Sequence, residues 1–127
     1  MRATAIALVV VLALSLALCA LSLVTVRKAV REMDDLRVEA EEFARAGDGE
    51  LAMERLVRIA NRMEDARPFL EMLTSHEDLH DAVKQVVDAQ VYLEFGALTE
   101  TCRALSQLGE ILNHIRETEE ITLANLW

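Results

Sequence analysis

The sequence predicts an all-α protein, an N-terminal transmembrane helix followed by an antiparallel four-helix bundle or two stacked αα-hairpins. Three observations predict it. The run from Ala3 to Val26 carries no charge, every later segment has apolar residues at helical spacing, and no segment alternates with period two. The only breakers are Pro68 and the glycines at 47, 49, 96 and 109.

The apolar run ATAIALVVVLALSLALCALSLVTV has Thr4, Ser15, Ser22 and Thr25 as its only polar residues. At about 1.5 Å per residue it spans roughly 36 Å, enough to cross a hydrocarbon core of about 30 Å with some tilt. Residues 1–26 are therefore expected to form an anchor or uncleaved signal sequence, with 27–127 an acidic helical domain. Arg2 and the small-x-small triplet Ala20-Leu21-Ser22 also suit a cleaved signal peptide. Two features oppose cleavage: the apolar run is longer than an ordinary signal core, and Arg27, Lys28 and Arg31 follow it at once. Counted as Lys and Arg alone, these three outweigh Arg2 and favour a cytoplasmic body, by a margin too thin to fix the side.

The next helix is expected from Arg27 to Ala46, with Ala29, Met33, Leu36, Ala40 and Phe43 on one stripe and Gly47-Asp48-Gly49 stopping it. The second begins near Glu50 and places Ala52, Leu56, Ile59, Met63 and Ala66 inward. Pro68 must kink it or end its regular hydrogen bonding, because proline lacks the amide donor. The third follows Thr74-Ser75 with Leu79, Ala82, Val83, Val86, Ala89 and Leu93 inward, and ends near Phe95-Gly96. The fourth runs from about Leu98 to Ile115 on Leu98, Cys102, Leu105, Leu108, Leu112 and Ile115. Four one-sided helices joined by short connections must pack on their neighbours in antiparallel fashion.

Composition narrows the functional classes. The chain has a net charge of −9, and the body beyond the anchor holds every acid and all but one of the bases. Such a surface repels phosphate backbones and anionic lipid, so nucleic-acid binding is not expected. Cys19 lies in the anchor and Cys102 on an apolar stripe, so no disulfide framework is expected. No cofactor is implied.

His76-Glu77-Asp78-Leu79-His80 has the form H-E-x-x-H, which on a helix presents two zinc ligands and a general base on one face. The same residues read as a helix start, because Ser75-His76-Glu77-Asp78 is a capping box whose acids lie at the positive end of the helix dipole. Charged Asp78 and Asp81 within and beside the motif, and the lack of a strand to hold a peptide, argue against a zinc peptidase. The up-and-down topology also sets the Thr74-Ser75 turn near the end of the last helix, both beside the anchor. A small polar cluster of His76, Glu77, Asp78, His114 and Glu117 is therefore expected there. Beyond it, Ile121, Leu123, Leu126 and Trp127 form either a docking segment or a partner surface.

Taken together, LEMLTSHEDLH and LNHIRETEEITLANLW resemble the signatures of a family of short bacterial membrane-anchored helical proteins classed as a domain of unknown function. That family's pattern has L-x-D-H-x-E-I-D after a tryptophan-containing helix and a C-terminal H-I-P-E-x-E-x-L-S-L-E-N-I-L. The resemblance covers roughly Leu51 to Trp127. His76, Asp78 and Leu79 match the first motif, and His114, Ile115, Glu117, Glu119, Leu123, Asn125 and Leu126 match the second. Ser75, Arg116, Phe69 and Trp127 depart from it, and His80 matches nothing in it. The resemblance implies a helical architecture in a bacterial cell membrane and no particular reaction. The expected role is thus a non-catalytic interaction or accessory module for a membrane protein, or for a second copy of itself. The alternative is a metal- or ligand-binding sensor using the histidine-carboxylate cluster.

Overall fold

A computed structural model of the chain describes residues 1–126, and at 122, 123, 125 and 126 it describes the backbone alone. Four helices account for nearly all of it, α1 (Arg2–Arg45), α2 (Gly49–Leu73), α3 (His76–Glu94) and α4 (Leu98–Leu126), with no strand among the described residues. The expected anchor and first helix are a single element of 44 residues. No breaker separates them, since the change at Arg27 is one of polarity and not of helix propensity.

α1 and α3 end in the same way. Gly47 at φ +82° and Gly96 at φ +69° take the left-handed conformation that costs a side-chain-bearing residue most. In each case the glycine N–H and the next N–H turn back onto carbonyls of the last turn: Gly47 to Ala44 and Asp48 to Phe43, Gly96 to Leu93 and Ala97 to Tyr92. These pairs form Schellman caps. Asp48 then accepts from the Leu51 N–H to start α2, and Ser75 Oγ accepts from the Asp78 N–H to start α3, each at 3.1 Å.

Two elements run longer than the sequence suggests. α2 continues through Pro68 to Leu73, and because Pro68 is exposed the missing hydrogen bond falls on the solvent side, where a curved helix is already open. α4 continues past Ile115 to Leu126, because its core stripe of Leu108, Leu112 and Ile115 goes on to Glu119 without an intervening breaker. The residues expected as a tail are therefore part of a helix as far as Leu126.

Each helix packs on its chain neighbours, and α4 closes on α1, so the four form a helical bundle. Paired residues give the directions. Arg55 meets Glu39 while Arg62 meets Glu32, so α2 runs against α1. Gly109 lies beneath Arg37 while Glu119 lies close enough to feel the charge of Arg27, so α4 also runs against α1.

The core is one cluster. Met33, Leu56, Ile59, Leu70, Leu105, Leu108 and Leu112 are its large, fully buried members, and small Ala29, Ala40, Ala66, Ala82 and Ala89 let the helices approach. Of the expected core residues Val83 and Leu98 are exposed and Phe43 is half-buried, whereas Thr101 and Ala104 on α4 are buried. The expected inward face holds along α2 and departs at the edge of the α3 stripe and at the start of α4. Thr101 tolerates burial because its hydroxyl donates to the Ala97 carbonyl at 2.8 Å.

Packing on α1 begins at Ser22. Along the preceding stretch the apolar side chains from Ile6 to Leu21 are uncovered on every side. This sleeve is about 20 residues, or roughly 30 Å, long, and α1 is long and apolar enough to cross a membrane.

Candidate functional site

The chemistry-bearing residues gather where the sleeve enters the bundle. The turn from α2 to α3, the second half of α4 and the middle of α1 all meet there, because alternate connections of an up-and-down bundle fall at one end.

Of the predicted cluster, the fold brings two members together. His114 Nδ1 lies 3.0 Å from Asp78 Oδ2, joining α4 to the start of α3 across a separation of 36 residues. The imidazole is largely exposed and the carboxylate about three-quarters buried, so the contact fixes Asp78 more than it fixes His114. Glu117 turns elsewhere and accepts from Asn113 Nδ2 at 3.1 Å. His76, Glu77 and His80 are exposed and make no hydrogen bond or ion pair with any described residue. The H-E-x-x-H residues do not converge with a third ligand: among the described residues no three His, Cys, Asp or Glu side chains are grouped to hold a metal. Of the C-terminal residues singled out by sequence, Ile121 is exposed, and the side chains of Leu123, Leu126 and Trp127 lie outside the described residues.

Two polar residues that the sequence reading named but did not place in the cluster occupy the same end from the inside. Ser22 is fully buried on α1 and Glu119 is only 3% exposed on α4. Among the described residues, neither the Ser22 hydroxyl nor either Glu119 carboxylate oxygen has a hydrogen-bond partner. Burial pushes the Glu119 carboxyl above the usual carboxylate range; the positive charge of Arg27 opposes this and the negative charge of Glu120 adds to it. A signal was present, because the stripes Leu112-Ile115-Glu119 and Ser22-Val26-Ala29 keep core spacing and lead directly onto these two residues.

Not every base is held by an acid. Arg37, Arg45, Arg55, Arg58, Arg62 and Arg67 each face a carboxylate within 4.0 Å. Arg27, Lys28, Arg31 and Arg116, all at the sleeve end, face none among the described residues, and Arg116 instead donates to Asn113. Lys84 and Arg103, away from the sleeve, also face no carboxylate among the described residues. Arg27, Arg31 and Arg116 line a groove of about 590 Å³ between α1 and α4, with Arg37, Asp34, Asp35 and Glu120 among its other lining residues. Arg37 lies across α4 at Gly109, where an added Cβ would come within 2.7 Å of the guanidinium carbon.

Both cysteines are free, Cys19 exposed on the sleeve and Cys102 within α4. Cys102 is buried, and burial pushes its thiol above the usual range, away from the thiolate form that reacts.

No known protein family, curated protein or solved structure matches the chain.

Proposed function

We propose that the chain is a single-pass membrane protein whose acidic helical bundle is held at the bilayer surface as a non-catalytic interaction module for another membrane protein. The observation that carries this reading is α1 itself. Its first half is an uncovered apolar sleeve of bilayer length, and its second half is a stave of the bundle, with no break between. A rigid helix that is both anchor and stave fixes the height and tilt of the bundle over the membrane. Signal cleavage at Ala20-Leu21-Ser22 would cut α1 where its packing begins, at fully buried Ser22, which favours a retained anchor.

The outer face of α3 supports a partner-binding role. Val83, Val87 and Val91 are exposed one turn apart on the side away from the core, and Phe95 at the end of this ridge is 81% exposed. An exposed apolar ridge on an otherwise charged body is the type of surface that association covers.

Proximity crosslinking in native membranes, from a tag at the C-terminus, tests the reading. The expected result is a small set of membrane-protein neighbours that is lost in Val87→Lys while unfolding temperature is unchanged. Recovery of the chain in the soluble fraction, or a neighbour set that is indifferent to Val87→Lys, contradicts it.

A further inference from the structure

We propose that the groove between α1 and α4 beside the sleeve binds the phosphate of an anionic phospholipid headgroup through Arg27, Arg31 and Arg116. The proposal rests on the anchored reading above and assigns a ligand to its membrane-facing end.

Depth comes first. Arg27 follows the apolar run directly, and Arg31 lies one turn, about 6 Å, further from the sleeve. The polar layer of a bilayer is roughly 5–8 Å thick on each side of the hydrocarbon. With the sleeve to Leu21 in the hydrocarbon, Arg27 lies about 9 Å and Arg31 about 15 Å beyond it along α1, and because side chains on a helix lean back toward its N-terminus the Arg27 guanidinium reaches phosphate depth and that of Arg31 its outer edge. Arg116 reaches the same groove from α4.

Charge availability comes second. An arginine already held by a carboxylate must be freed before it binds phosphate, and that is the state of the six arginines with acid partners. Of the four arginines that line the groove, Arg37 is held by Asp34, whereas Arg27, Arg31 and Arg116 have no ion pair with any described residue, Arg116 donating only to neutral Asn113. Of the acids that line it, Asp34 is held by Arg37 at 2.9 Å, and Asp35 lies about 12 Å deeper along α1 than Arg27, past the headgroup layer. Glu120 remains at the rim without an ion pair to any described residue, so it holds none of the three.

Shape and chemistry come third. At about 590 Å³ the groove has room for a phosphate with its glycerol ester, and guanidinium groups bind phosphate oxygens in parallel pairs of hydrogen bonds. The net charge of −9 is an average over the chain, and the membrane-facing rim of the groove, with Arg27, Arg31 and Arg116, departs from it locally.

The test uses the full chain reconstituted into vesicles of phosphatidylcholine, with and without phosphatidylglycerol, and photoactivatable analogues of each lipid. Flotation with the vesicles is measured first. The expected result is preferential labelling by the phosphatidylglycerol analogue, mapped to α1 and α4 at the groove. Arg31→Gln lowers the anionic-over-neutral ratio about fivefold, and the triple change Arg27→Gln, Arg31→Gln, Arg116→Gln brings it to one. Lys84→Gln with Arg103→Gln, which removes two bases far from the groove, leaves the ratio unchanged, as does added inorganic phosphate. Flotation with equal labelling by both lipids overturns the headgroup site while leaving the anchor intact. A preference that survives the triple change overturns the assigned residues, and loss of labelling to inorganic phosphate makes the site one for free anions. A chain that does not float overturns the anchored reading and the site with it.

Discussion

Replacing Glu119 by Gln removes the one buried charge at the junction of sleeve and bundle while keeping its volume. The carboxylate is 3% exposed with neither oxygen partnered by a described residue, and an unsatisfied buried polar group costs about 1–3 kcal/mol, more when charged. Burial raises the folded-state pKa above its unfolded value. Between those two values the folded chain binds more protons than the unfolded one, so stability is highest below the unfolded value. It falls as pH rises toward the folded value and then levels off. Glu119→Gln lacks this slope. At low pH the two chains should unfold together, and at pH 8 the variant should be more stable by about 1 kcal/mol or more, roughly 4–8 °C in Tm for a domain near 100 residues. Thermal unfolding of the detergent-solubilised chain, followed by circular dichroism across pH, measures the difference, in which the titration of other groups cancels. A variant less stable than the parent at pH 8 refutes the reasoning, because the carboxylate would then be ionised and held by Arg27.

Three further outcomes follow from the same structure. Leu105→Ala empties a fully buried position and should lower stability by about 2–5 kcal/mol in equilibrium unfolding. Ser75→Ala removes the oxygen that accepts from Asp78 N–H and should cost about 1 kcal/mol, detected as faster amide exchange in the first turn of α3. Zinc titration followed by calorimetry should show no stoichiometric site, and His80→Ala should leave the trace unchanged, since His76 and His80 are exposed without a third ligand.

The elements were legible because their punctuation is local. Gly47 and Gly96 stop helices through conformations that glycine favours, and Asp48 and Ser75 start them with side-chain oxygens, all of which sequence displays directly. Length was less legible where a breaker sits on the solvent side, as Pro68 does, or where a core stripe continues onto a polar residue, as Ile115 does onto Glu119. The edge of an inward face was the hardest to read. Val83 and Val86 are equally apolar, and only the positions of α2 and α4 decide that Val86 is buried and Val83 exposed.

The site divides in the same way. Topology places His114 and Asp78 at one end, but Glu117 is one turn around α4 and reaches Asn113 instead. H-E-x-x-H is a pattern in one dimension, whereas a metal site requires ligands that converge from several elements. Arg27, Arg31 and Arg116 show the converse, since they are remote in sequence and have no motif, and only the antiparallel register of α1 and α4 places them around one groove.

The central claim is that α1 is one rigid helix, half in the bilayer and half in the bundle. Spin labels placed singly from Ile6 to Met33 in vesicle-reconstituted chain, with accessibility to oxygen and to a water-soluble nickel chelate measured at each site, test it most directly. The account predicts high oxygen and low nickel accessibility at every position from Ile6 to Leu21. From Ser22 onward a periodicity of about 3.6 residues should follow, with minima for both reagents at Val26, Ala29, Val30 and Met33. Nickel accessibility throughout the sleeve, or helical periodicity already at Ile6, would contradict it, because the sleeve would then face water or protein rather than lipid.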